Sequence, residues 1–240
     1  MTRSKRGQSL SVTKRLVLTA IFAALAYAAM FVFRFNVQFL TFDLKDAVIT
    51  LSGLLLGPWA AATVSLLVAT LEFITVSDTG WYGFVMNFAS SAAFSVTCAA
   101  VYRYKRKLSG AIVGLVSAMI VMVSVMMLLN LFVTPLYQGV SRSDIAALLP
   151  VLFLPFNAVK GLANASLVLV LYKPVHRALQ AARLLPRTAP AASSLADPAE
   201  KKRQMIRNIA VAAVGLVLLA AAIVAVFLLL DGRFELFKER

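Results

Sequence analysis

Histidine and cysteine are nearly absent from this 240-residue chain: each occurs once, as His176 and Cys98. A single cysteine allows no intrachain disulfide and no cysteine metal cluster. A single histidine cannot build the usual zinc sites or a Ser-His-Asp triad. Acidic residues are scarce as well, 10 Asp and Glu against 24 Lys and Arg, so paired-carboxylate chemistry has few candidates. There is no phosphate loop, no metal-binding histidine pair and no G-x-S-x-G elbow. These absences argue against an enzyme. If the chain takes part in transport, the energy comes from a partner or an ion gradient.

Apolar residues are what the chain has in plenty. They make up 61% of the sequence, with a mean hydropathy of +0.86, against roughly 45–50% in soluble domains. The chain therefore reads as an integral membrane protein. A net charge of +14 would suit nucleic acid. The basic residues, however, sit at the ends of apolar runs, as the positive-inside rule requires, and no nucleic-acid partner is expected.

Seven helices are expected. The first spans about 16–33. The apolar stretch 47–74 is too long for one helix and too short for two ordinary ones. Gly57-Pro58 breaks it into a short helix 46–56 and a second at 58–75. Further spans follow at 82–102, at 110–133 (ended by Thr134-Pro135), at 148–172 and at 209–230. The predicted fold is thus all-α. A six-helix membrane domain covers 16–178, after a basic N-terminus 1–15. A basic linker 179–208, an additional C-terminal helix 209–230 and a tail 231–240 complete the chain. Segments 1–15, 103–107 and 173–207 hold 17 of the 24 basic residues and all fall on one side. That side is taken as cytoplasmic, which puts the N-terminus inside and the C-terminus outside.

Lys160 lies within the 148–172 run, where a charge costs about 2.5–3.5 kcal/mol on insertion scales. Asn157 and Asn164, three residues before it and four after, share its helical face. Asn130, Asn87 and Glu72 map to the same outer level on three other spans. Polar groups that converge from four helices point to a cavity open to the outside, with Asp43, Lys45, Asp78, Trp81 and Tyr82 at the level of a lid. Each has a plainer reading. Asn87 can be an interhelical hydrogen bond, and Met119, Met122 and Met126 can be core packing. Glu72 and Lys160 can be a structural ion pair, and Trp81 and Tyr82 can be an interfacial belt. Ala20, Ala24 and Ala28 recur every four residues, a spacing that lets another helix approach closely, or simply an alanine-rich helix.

Several segments resemble a known family. These are LTAIFAALA in the first span, FDLKDAVITLSGLLLGPWAA across the first loop and the next two helices, WYGFVMNF, LLNLFVTPLY and LPFNAVKG. Over about 12–178 the chain is similar to the substrate-binding S components of energy-coupling factor (ECF) vitamin transporters, in particular the riboflavin-specific type. The resemblance implies a six-helix S-component fold in a bacterial plasma membrane, with a vitamin pocket near the outer face. It also implies docking onto a T component driven by two ATPase subunits. Riboflavin is then the transported ligand, with no cofactor. Ala20 and Ala24 look like the family's docking motif, and Asn130 and Lys160 match positions that contact the flavin. Met122, Met126, Leu40, Phe42 and Trp81 would cover the ring faces. The helix at 209–230 falls outside the family pattern. Two other readings stand beside this one: the same fold with another vitamin, and a membrane anchor or scaffold whose polar groups are structural glue.

Overall fold

The computed structural model describes residues 10–32, 34–185 and 198–231. Most of the N-terminal segment, the middle of the linker and the C-terminal tail lie outside the described residues. The elements in chain order are α1 (Val12–Val32), β1 (Phe35–Val37), β2 (Leu40–Phe42), α2 (Lys45–Leu56), α3 (Pro58–Thr75), α4 (Gly80–Tyr104) and α5 (Leu108–Gln138). Then come α6 (Arg142–Leu148), a π-helical turn (Leu149–Phe153), α7 (Leu154–Ala181) and α8 (Pro198–Asp231). Among the described residues five helical stretches are long and apolar enough to cross a membrane: α1, α3, α4, α5 and the continuous run Arg142–Ala181. Residues Ile209–Ala225 of α8 add a shorter apolar one.

The bundle is organised around α2. This helix buries ten of its twelve residues and touches α1, α3, α4 and α7. A helix buried on all sides has to satisfy its polar groups internally. Thr50 Oγ1 donates to the Asp46 carbonyl at 2.6 Å and lies 2.9 Å from Ser95 Oγ, and Ser91 Oγ donates to the Asp46 carboxylate. At Gly53 an added Cβ would stand 2.8 Å from Ala99 Cβ and 2.9 Å from Ala61 Cβ. Only glycine lets α3 and α4 close on α2 there. The break at Gly57-Pro58 falls where the sequence places it: Gly57 has φ 107°, and Pro58 starts α3, where its missing N–H costs nothing.

Elsewhere the structure departs from the sequence reading. The first loop is not irregular. It folds as an antiparallel hairpin that pairs Asn36 with Thr41 and Val37 with Leu40, so the fold is not purely helical. Pro135 does not end α5, which runs on to Gln138 and stops at Gly139 in the left-handed conformation. In an apolar medium a helix that stops exposes backbone groups, so crossing a proline is the cheaper course. The segment before α7 is also helical: Ser141 and Asp144 form a reciprocal capping box that starts α6. Finally, α8 begins at Pro198, inside the expected linker. It packs along α7, with Gly215 against Val170 and the Ser166 carbonyl.

Candidate functional site

At one end of the bundle the hairpin and the adjoining ends of α3, α4, α5 and α7 enclose a cavity of about 390 Å³, within the range of small-molecule sites. The hairpin is held there by α7. Leu40, Phe42 and Leu44 pack into a buried cluster with Ile145, Phe153, Phe156 and Ala163. Two backbone carbonyls following the turn are captured by side chains of α7: Lys160 Nζ donates to Thr41 O at 3.3 Å and Asn164 Nδ2 to Asp43 O at 3.2 Å. Asn164 Oδ1 in turn accepts from the Ala47 amide in the first turn of α2, at 2.8 Å.

The charged groups form a chain. Lys160 Nζ lies 3.0 Å from Asp43 Oδ2. The same oxygen lies 3.4 Å from Lys45 Nζ, which reaches Glu72 Oε1 at 2.7 Å. Asn87 Nδ2 donates to Glu72 Oε2 at 2.8 Å. The direct Glu72–Lys160 pair is therefore not formed: Asp43 and Lys45 stand between them. Burial alone would raise the Asp43 carboxyl, but the ammonium of Lys160, aided by Lys45, outweighs it and brings it down to about 2. Arg34 and Asp78 also line the cavity, so three cations face three carboxylates. The formal charges of these lining residues cancel; a further carboxylate, Asp46, is buried behind them and held by Ser91 Oγ.

Eight of the twelve residues expected to bind substrate line the cavity: Lys160, Asn130, Asn157, Asn87, Glu72, Lys45, Leu40 and Met126. Four do not. On α4 the lining face is Gly83, Met86, Asn87 and Ser90, and helical periodicity points Trp81 and Tyr82 away from it. Trp81 instead packs on Phe73 and Phe84, and Tyr82 stacks on Tyr137. Phe42 lies in the cluster beneath the hairpin, edge-on to Phe156. Asn164 is one turn deeper, occupied by backbone. Met122 belongs to the main core. Gln38, Phe39, Phe156 and Tyr137 line the cavity unannounced by the sequence reading. The one signal for Tyr137 and Phe156 was their place beside Asn130 and Asn157 in the quoted segments. Ala20, Ala24 and Ala28 lie on an exposed face of α1, while Ala23 and Ala26 between them are buried.

Residues 14–172 match the family described as "ECF transporter, substrate-specific component". This chain belongs to that family. Membership makes it a transporter component rather than an enzyme, in a multi-pass membrane fold. It is 32% identical over 180 residues to the riboflavin transporter RibU of Staphylococcus aureus (strain TCH60), which covers 70% of this chain and 94% of that protein. A solved structure described as the S component of a bacterial ECF transporter superposes with a TM-score of 0.61 at 29% identity, over 71% of this chain and 99% of that one. The family match stops at residue 172, before α8.

Proposed function

We propose that this S component captures riboflavin from outside a bacterial cell and hands it to an ATP-driven module. The likeness to RibU along 94% of that protein carries the reading. The cavity's chemistry supports it. Riboflavin has a flat apolar ring system, a polar edge of carbonyls and N–H, and a polyhydroxyl tail, with no net charge. An uncharged ligand suits a site whose three cations and three carboxylates cancel. Asn130 and Asn157 are amides that donate and accept along such an edge. Lys160 donates to a carbonyl or hydroxyl. Met126, Leu40, Phe39 and Phe156 supply apolar walls. Asn164 and Phe42 we assign to holding the hairpin rather than the ligand.

In this reading α1 to α5 and α7 form the six-helix core and α8 is a seventh, added helix. The N-terminus lies in the cytoplasm and the C-terminus outside, so the cavity opens outward under the hairpin. The exposed alanine face of α1 meets the T component, which two ATPase subunits drive. Purification from a flavin-containing host tests the central claim. The protein should be yellow with flavin absorbance, and riboflavin fluorescence should be quenched on titration. A colourless protein that quenches nothing would remove the riboflavin assignment.

A further inference from the structure

The end of the bundle opposite the hairpin carries a second, larger groove of about 630 Å³, bounded by the start of α1, the α2–α3 junction and the end of α4. Its lining includes Arg15, Arg103 and Arg106 and no acidic residue. Among the described residues, no carboxylate lies within ion-pairing distance of any of the three. Arg15 is fixed in place, donating from Nη2 to the Leu56 carbonyl at the end of α2, at 2.8 Å. That leaves its other guanidinium N–H groups free to meet a ligand, beside two further arginines on the last turn of α4 and just beyond it. The lips of the groove are apolar and open: Leu16 is 65% exposed and Trp59 83%. Gly53 to Pro58 and Ala60 form a floor with few side-chain polar groups.

We propose that this groove holds the phosphodiester headgroup of an anionic phospholipid from the leaflet at this end of the bundle. Planar guanidinium groups match phosphate oxygens two at a time. Basic pockets between membrane helices take anionic headgroups in this way. The exposed Leu16 and Trp59 distinguish a lipid from a free phosphate, because acyl chains need an apolar lip beside the headgroup and tryptophan settles at that depth. A protein helix meeting the exposed face of α1 could share Leu16 but would leave the three arginines without a counter-charge, which a phosphodiester supplies.

The test uses the purified full-length chain in detergent. Retention of phosphatidylglycerol and of phosphatidylcholine with identical acyl chains is compared by native mass spectrometry. Phosphatidylglycerol should be retained preferentially. The double variant Arg103→Gln, Arg106→Gln should reduce that preference by about fivefold or more, in keeping with the contribution of basic residues at an anionic surface. A control, Lys14→Gln with Lys105→Gln, removes the same charge from the same end outside the groove and should leave the preference unchanged. Both double variants should bind riboflavin like the parent, which checks folding. Equal retention of the two lipids overturns the proposal, as does an equal loss in both double variants. Thermal stabilisation by glycerol phosphate equal to that by phosphatidylglycerol also overturns it, in favour of a soluble anion. Unchanged lipid preference with loss of the ATPase-module complex overturns it in favour of a protein partner.

Discussion

Asp43 Oδ2 and Lys160 Nζ lie 3.0 Å apart across 117 residues of sequence, and their ion pair fastens the hairpin to α7 over the cavity. Both side chains are buried, so the pair is worth little by area but is costly to break from one side. Removal of one partner leaves a charge uncompensated. The pair therefore acts as a latch that holds the hairpin to α7 at the cavity.

Asp43→Asn tests the latch. It removes the counter-charge of Lys160 and half of that of Lys45, and should destabilise the closed hairpin by about 3 kcal/mol. Hydrogen exchange of the amides in 36–42 should accelerate while the helices stay protected. Unchanged protection would mean the apolar cluster alone holds the hairpin. The pH dependence follows from the lowered carboxyl. A group depressed to about 2 contributes its full stability above its unfolded value of 3.8 and loses it progressively as pH falls from there through about 2. The difference in melting temperature between the parent and Asp43→Asn should thus stay constant from pH 8 to pH 5.

Lys160→Met and Asn130→Ala should each weaken riboflavin binding by about 1–3 kcal/mol if each makes a buried hydrogen bond to the ligand. In Lys160→Met, Asp43 keeps Lys45 at 3.4 Å, so the fold survives the loss. Fluorescence-quenching titration reads both. Parental affinity in both variants would leave the polar groups with a structural role only. Asn130 already spends its amide on the Met126 carbonyl at 2.7 Å and accepts from Thr134 at 2.9 Å. Its effect should therefore be the smaller of the two.

Charge balance in the cavity gives a selectivity prediction. Flavin mononucleotide adds a phosphate of about −1.5 to −2 at neutral pH to a site whose three cations are already matched. It should bind at least about tenfold more weakly than riboflavin, as one unpaired, partly desolvated charge would dictate. Equal affinities in competition titrations would show that the phosphate stays in solvent outside the hairpin.

Depth along a helix was legible in the sequence; direction around the bundle was not. Apolar runs and the spacing of Lys160, Asn157, Asn130, Asn87 and Glu72 put these residues at one level, and all five line the cavity. Gly57-Pro58 marked a break that only backbone chemistry requires. Sequence shows that Glu72 and Lys160 share a level, which left their direct pairing open; it does not show that Lys45 and Asp43 stand between them. Trp81 and Tyr82 likewise adjoin the lining residues in sequence but face elsewhere on α4. The hairpin escaped notice because its strands have three residues each. Its turn also holds Gln38 at φ 55°, where glycine or asparagine would have announced it.

The exposed alanines of α1 test the docking reading. Ala20→Leu with Ala24→Leu adds bulk to an exposed face of α1 away from the cavity lining, so riboflavin binding by the isolated chain should not change. Uptake by whole cells should fall sharply if a T-component helix packs closely there. Loss of binding instead would contradict a docking role. Normal uptake would move the docking surface elsewhere.

The last test concerns α8. An added Cβ at Gly215 would stand 2.9 Å from Val170 Cγ2 and 3.1 Å from the Ser166 carbonyl, and the second neighbour is backbone that cannot turn aside. Gly215→Leu should therefore push α8 off α7 and cost the membrane domain part of its stability. Overpacking of this kind typically costs about 1–3 kcal/mol. The cavity takes no residue from α8, and the helix lies outside the family match. Riboflavin affinity of Gly215→Leu should consequently equal that of the parent while its melting temperature falls. A matching loss of affinity would show that α8 supports the α7 face carrying Lys160 and Asn157, making the added helix part of the binding machinery.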